Sequence, residues 1–288
     1  MKTLTDYISE SILSSTRTGK AGIDEEMKKY GLDPSSVTLN ADGSIDYDGN
    51  VILSSKGLSK LPFKFRKVNG HFNISNNKLK SLDGCPEEVS GDFMCSNNSI
   101  TSLIGGPKHT GHNYCCMRNE LTTLEGISEQ IGMSLNCSSN KLTNLKHCPQ
   151  VVNDAFYCCN NKLTTLKDGP KQVGSGYYCD GNQLTTLDGA PDKIEDEFYC
   201  AYNKLTDLKH CPQVVNDAFC CQVNQLTSLK GGPVQVDNNY DCSDNKLTSL
   251  EGLPKRLNNY LFCFNNAVAF TKEEVQKVCK VRKDKIRV

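Results

Sequence analysis

Apolar residues in this chain follow neither the alternation of a single strand nor the 3.6-residue repeat of a helix. They recur every 21 residues. Leu58, Leu79, Ile100, Leu121, Leu142, Leu163, Leu184, Leu205, Leu226 and Leu247 keep that interval without a slip, and a second Leu follows three residues after each, from Leu61 to Leu250. Nine Cys share another slot (Cys95, Cys116, Cys137, Cys158, Cys179, Cys200, Cys221, Cys242 and Cys263), and Phe, Tyr or Leu stands two residues before each. One polar residue is as regular: an Asn series runs from Asn77 to Asn266. The unit reads F-x-C-x-x-N-x-L-T-x-L-x-G-x-P-x-x-V. A period this long marks a stack of coils, each one supersecondary unit that buries its apolar face against its neighbours.

Within one unit, the ring and the Cys are two apart, so both point to the same side of a short strand and into the core. The two Leu and the Val fill the other sides of the coil. Where the strand ends, the Asn turns inward; its amide bonds backbone groups of its own and the adjacent coil, as a buried amide must. An Asn-to-Leu change in mid-array is therefore expected to destabilise. At the N-terminal end, residues 22–31 read as a short helix with an early acidic turn and a closing Gly. Residues 37–53 follow as two or three strands around Asp-Gly turns, with Val51 and Leu53 in the ring and Cys slots. At the C-terminal end, Thr271 and Glu274 form a capping box ahead of Val275, Val278 and Val281, which predicts a cap helix followed by a basic tail. The expected organisation is a leader at 1–20, an α/β cap at 21–57, an array at 58–270 and a C-terminal cap at 271–288.

Segments such as "FYCCNNKL" at 156–163 resemble the strand-and-Asn part of the leucine-rich repeat, L-x-x-L-x-L-x-x-N/C-x-L. The resemblance covers about 51–270 and implies a repeat solenoid: a leucine-rich-repeat horseshoe with a parallel β-sheet on its concave face. Two departures are Cys in place of the second strand Leu and a G-x-P turn where many members carry a helix. The short period resembles the bacterial subclass, which implies short turns and an extended convex side. A non-enzymatic protein-binding scaffold is the function this implies. Some bacterial effectors of the family carry a catalytic domain beside the array, for which the flanks here are short.

Composition narrows the chemistry. Lys and Arg together number 33, as do Asp and Glu, so no net field draws the chain to nucleic acid or to an anionic membrane. No apolar run approaches the roughly 18 residues of a membrane span, and the N-terminus lacks the apolar block of a secretory signal. Sixteen Cys in a chain of 288 residues without such a signal read as reduced thiols in a cytoplasm. One Cys per coil does not make the clustered pairs of a zinc site, and the expectation is no metal and no cofactor. No Ser/His/Asp set or phosphate-cradling Gly loop stands out, and the five His are scattered over turns, so no enzyme activity is expected. "KHCPQVVNDAF" occurs at 146–156 and again at 209–219, 63 residues later. That is three repeats, so the doubling records a copied block. His147 and His210 would then lie roughly 14 Å apart, at about 4.8 Å per strand, too far to share a metal.

The first ten residues, "MKTLTDYISE", resemble the head-targeting leader of internal capsid proteins of T-even-type bacteriophages, cut by the prohead protease after I-x-E or L-x-E. Here Ile8-Ser9-Glu10 matches, which places cleavage between Glu10 and Ser11. The same tripeptide recurs at 127–129, and an ordinary N-terminal helix is the competing reading. A true leader implies a phage protein packaged in the head, as a scaffold delivered to the host or a structural part of the virion interior. An effector-like bacterial protein is the other possibility.

Between ring and Cys lies an outward position, occupied in succession by Tyr157, Tyr178 and Tyr199, with Asp180, Glu197 and Tyr202 beside them. Large rigid aromatics near carboxylates are common at interface hot spots, although aromatics also suit strands for structural reasons. These six residues are the candidate partner-binding surface, on the concave face, of a monomer whose partner is another protein. Cys115, Cys159 and Cys220 are the thiols expected outside and open to oxidation. Tyr260, Phe262 and Phe264 form a second apolar group, expected under the C-terminal helix.

Overall fold

The computed structural model describes residues 19–288. It is a parallel-strand solenoid with little helix. A twelve-stranded sheet, built from two-residue strands, runs from Val51–Ile52 through Phe72–Asn73, Phe93–Met94 and so on to Leu261–Phe262 and Ile286–Arg287. Each strand pairs in parallel with the same two slots of the next coil, as Phe156 with Tyr177 and Tyr157 with Tyr178. The leader and its Glu10–Ser11 cleavage point lie outside the described residues.

The first slot of every strand faces inward and the second outward. Phe72, Phe93, Tyr114, Leu135, Phe156, Tyr177, Phe198, Phe219, Tyr240 and Leu261 are all buried, and so are the nine Cys two positions on. Thiols fit this column for two reasons. A small side chain leaves room for the neighbouring ring, and the S–H can donate weakly. Cys137 Sγ donates to Tyr157 O at 3.3 Å and Cys179 Sγ to Tyr199 O at 3.2 Å, both in the next coil.

The Asn column fastens coil to coil. Asn161 Nδ2 donates to Cys158 O in its own coil (3.1 Å) and to Cys137 O in the preceding one (3.1 Å). Its Oδ1 accepts the Leu142 N–H at 3.0 Å. The same bonds recur at Asn98, Asn119, Asn140, Asn182, Asn203, Asn224, Asn245 and Asn266.

Each coil turns through two left-handed corners. One precedes the Asn, at Asn76, Asn97, Ser139, Asn160, Gly181 and their equivalents; the other is the Gly of L-x-G, at Gly84, Gly105 or Gly126. Backbone at positive φ suits Gly best and Asn or Asp next. His147 (φ 67°), Asp168 (65°) and His210 (62°) occupy the second corner in their coils. The doubled His is thus a corner residue in each copy.

Beyond the expected turns, the return side of each coil carries a second ladder of short strands. Its inward residues, among them Val89, Ile131, Val152, Val173, Ile194, Val215 and Val236, are buried. The ladder is interrupted, forming sheets of six, two and three strands. The extended convex side is thus partly paired: the V slot and the residue before it bond to the same two slots of neighbouring coils.

The inward ring is matched in volume to the residue eight positions earlier. Tyr114, Tyr177 and Tyr240 face Gly106, Gly169 and Gly232, where an added Cβ would lie 3.3, 3.2 and 3.4 Å from the tyrosine oxygen. Phe93, Phe156 and Phe219 have Cys85, Cys148 and Cys211 at that offset, Phe198 has Ala190, Leu135 has Ile127 and Leu261 has Leu253. The larger the ring, the smaller its companion, as a close-packed interior requires. Each tyrosine hydroxyl is buried without a hydrogen-bond partner among the described residues.

The ends differ in detail from the sequence expectation. The first helix, α1, is Gly19–Tyr30, three residues earlier at its start than read, so Asp24 to Glu26 fall beyond its first turn; Gly31 closes it at φ 77°. Val37–Leu39 and Ile45–Asp48 form an antiparallel hairpin, and Ile45–Asp48 then pairs in parallel with Phe65–Asn69. Val51 and Leu53 are buried in the ring and Cys slots, so the long sheet starts before residue 58. At the other end α2, Lys272–Val278, has the Thr271–Glu274 capping box and buries Val275, while Val278 is exposed. The tail after it is a strand rather than a solvated helix end. Ile286 is buried beside Leu261, and Lys285 Nζ sits 4.0 Å from the Tyr260 ring centre. The terminal strand pairs with Leu261–Phe262, with Ile286 in the inward slot, beside Tyr260, Phe262 and Phe264, all three half-buried.

Thirteen of the sixteen thiols are buried. Desolvation raises the Cys95, Cys116, Cys137, Cys158, Cys179, Cys200, Cys211, Cys221 and Cys242 thiols well above their ordinary range. A folded chain that holds its thiol protons while the unfolded chain releases them binds more protons than the unfolded one. Stability is therefore unaffected below the unfolded thiol pKa and falls as pH rises beyond it, by up to about 1.4 kcal/mol per pH unit for each thiol. Urea unfolding followed from pH 7 to 11 should show a flat region to about pH 8 and then a steep decline. A flat profile to pH 11 would contradict a dry thiol column.

Candidate functional site

The outward slots of the long sheet form its exposed face. In chain order they are Ile52, Asn73, Met94, Cys115, Asn136, Tyr157, Tyr178, Tyr199, Cys220, Asp241, Phe262 and Arg287. Parallel in-register pairing places the three tyrosines on adjacent strands. Tyr157 and Tyr178 stack face to face, with centroids 4.6 Å apart and planes 4° from parallel; Tyr199 meets Tyr178 edge-on at 5.3 Å and 77°. All three are half-buried. The stack is ordered before anything binds to it, so little side-chain entropy remains to be lost.

Carboxylates rim the stack. Tyr178 Oη donates to Glu197 Oε2. Asp196, Glu197 and Asp217 group closely, and Asp196 Oδ2 accepts the Ser175 hydroxyl at 3.1 Å. Burial, reinforced by Glu197 and other nearby carboxylates, raises the Tyr157 and Tyr178 phenols and pushes Tyr199 up to about 12. The phenols therefore stay neutral and can donate hydrogen bonds at any physiological pH. Gly176 lies directly under the Tyr178 ring: a Cβ there would come within 2.6 Å of Tyr178 Cε2. A larger side chain at that position would push the ring out of the stack.

The other two proposed contact residues are placed differently. Asp180 is largely tied to the array, its Oδ1 accepting the Ala201 N–H at 3.2 Å and its Oδ2 the Cys159 thiol at 3.5 Å. Burial raises its carboxyl above the usual range. Tyr202 stands apart from the stack at a left-handed corner (φ 52°) and is 56% exposed. A non-Gly aromatic in that conformation is uncommon, and the corner turns its ring to solvent.

The three outer thiols are half-buried rather than exposed. Desolvation, with Asp180 beside one and Asp241 beside the other, pushes Cys159 and Cys220 up to about 12. Thiol oxidation proceeds through the thiolate, which this shift disfavours at Cys159 and Cys220. A groove of about 800 Å³ on the return side, lined by Lys67, Glu88, His109, Glu129 and Asn153 among others, mixes charges of both signs and has no Phe, Tyr or Trp in its lining.

Sequence reading missed two features. The carboxylate rim arises from columns 21 residues apart, and Asp154, Asp196 and Asp217 could have been found by aligning the repeats. The histidines are also less scattered than they looked, since His71 and His112 come together around Asp92. Among the described residues, no helix is long and apolar enough to cross a membrane.

No protein-family model matches the chain. No curated protein matches it either. Among solved structures, it is similar to YopM from Yersinia enterocolitica, with a TM-score of 0.49, 19% identity and 75% of this chain covered. The chain spans 60% of that protein's length. It is similar also to YopM from Yersinia pestis, a leucine-rich effector protein, with a TM-score of 0.36, 16% identity and 99% of each chain covered. A leucine-rich repeat protein of Leptospira interrogans is similar at a TM-score of 0.29 and 16% identity, over 81% of this chain and 95% of that one. Its neighbours in shape are leucine-rich repeat proteins.

Proposed function

We propose that this chain is a non-enzymatic scaffold that binds a protein partner on the outer face of its long sheet, at Tyr157, Tyr178 and Tyr199. The observation behind this reading is a stack of three aromatic rings on adjacent strands, held in place and edged by carboxylates. Tyr is favoured at interface hot spots because it buries much area at small entropic cost. Ring faces beside Asp154, Asp196, Glu197 and Asp217 suit an Arg or Lys side chain, which gains both a cation–π contact and a carboxylate. The partner is accordingly expected to present a basic segment. Glu197 positions Tyr178, Tyr202 adds a peripheral contact, and Asp180 acts by holding Cys159 and Ala201 in the array.

Affinity capture from bacterial lysate tests this, comparing the wild type with a Tyr157/Tyr178/Tyr199→Ala variant that retains its unfolding transition. A protein recovered by the wild type and lost from the variant, with capture weakening as salt rises, is the expected result. Equal recovery by both overturns the assignment of the face. Packaging in a phage head is a finer reading supported by the ten-residue leader resemblance alone. Protein taken from mature particles would begin at Ser11 if it holds, and at Met1 if it does not.

A further inference from the structure

A third corner, between the return-side strands and the long sheet, gathers groups that the tyrosine face does not use. His71, Asp92 and His112 come from three successive coils, and one ligand-capable atom of each lies within 4.8 Å of the others. His71 Nδ1 is 3.0 Å from Asp92 Oδ2, and the two imidazole centroids are 6.0 Å apart, tilted by 54°. Gly91 makes the arrangement possible. A Cβ there would lie 2.7 Å from His71 Nδ1, whereas His112, one coil further along the same column, brings its ring to the cluster.

We propose that this corner binds one zinc-type divalent ion through His71, Asp92 and His112. Zinc takes imidazole nitrogen at about 2.0–2.1 Å and carboxylate oxygen at about 2.0–2.2 Å, and two such bonds at 90–110° span roughly 3.0–3.4 Å. The His71–Asp92 separation falls at the lower edge of that span. Two imidazoles with one carboxylate suit zinc and its neighbours in the first transition row, whereas calcium and magnesium take oxygen donors. Asp92 is already oriented by its other oxygen: Oδ1 accepts the Asn113 backbone N–H at 3.0 Å and its Nδ2 at 2.8 Å, the outer support a ligating carboxylate needs. Ligation by His71 Nδ1 displaces the Asp92 N–H it accepts at 2.9 Å, which argues for a micromolar site rather than a permanent one. Three protein ligands leave a position open to water or to a side chain of a partner. The buried thiols do not compete, because a metal-binding sulfur must first lose its proton.

The site lies several coils from the tyrosine stack and does not depend on what that face binds. Calorimetric titration of the reduced full chain with zinc chloride, paired with thermal unfolding, tests it. The wild type should bind one equivalent, with a Tm that rises with zinc concentration. His112→Ala, which removes an exposed ring, should weaken binding at least tenfold. His71→Asn should do the same while keeping the ladder intact, because Asn50 and Asn113 accept the next coil's N–H from that very column. His109→Ala should leave binding unchanged. No zinc uptake by the wild type at millimolar concentration, or uptake undiminished in both the His112 and His71 variants, would overturn the assignment.

Discussion

The solenoid depends on a buried amide. A coil of 21 residues has too few apolar side chains to offset the ordering of its own backbone, so it must borrow from its neighbours. Apolar stacking alone would leave the groups at the end of each two-residue strand without partners, because the strand stops before its ladder can satisfy them. The Asn side chain fills that gap in both directions. It accepts an N–H from the preceding coil and donates to carbonyls of that coil and of its own. One side chain thereby fixes the register between coils, and every column, inward or outward, inherits that register. The aromatic stack and the histidine corner are consequences of it. Each needs residues from adjacent coils to arrive at the same height.

What could be read from the sequence was whatever the period repeats. Ten Asn, ten Leu pairs and nine Cys at one interval define the inside of the coil, because a buried position tolerates little variation. The chain ends were less legible for the opposite reason: each occurs once. Residues 283–288 look like a charged tail, and only the placement of Ile286 in the inward slot reveals a closing strand. The return-side ladder was also hidden. Its strands are two residues long, and a Val every 21 residues does not show that the residue before it pairs as well.

The candidate site was half legible. The three tyrosines follow from one column, but the distinction between Asp180 and Glu197 does not. Both are acidic and lie near the rings in sequence, yet Asp180 accepts bonds from the array while Glu197 accepts the Tyr178 hydroxyl. Internal comparison of repeats recovers more than a single reading does. The match of Tyr with Gly, Phe with Cys or Ala, and Leu with Ile or Leu at an offset of eight is written in the sequence itself. Its Tyr–Gly members at 114, 177 and 240 are 63 apart, the same interval as the doubled stretch, so the copied block preserved its packing along with its letters.

The most direct measurement of the central claim is the effect of Asn161→Leu on unfolding free energy and on hydrogen exchange at the Leu142 amide. Leu matches Asn in the number and branching of its side-chain heavy atoms but leaves the Leu142 N–H unsatisfied, at about 1–3 kcal/mol, and removes one of the two amide donors on each of the Cys137 and Cys158 carbonyls. The account predicts a loss of roughly 2 kcal/mol or more, with the Leu142 amide among the first to lose protection. A change below about 1 kcal/mol with Leu142 still protected would show that apolar stacking alone sets the register.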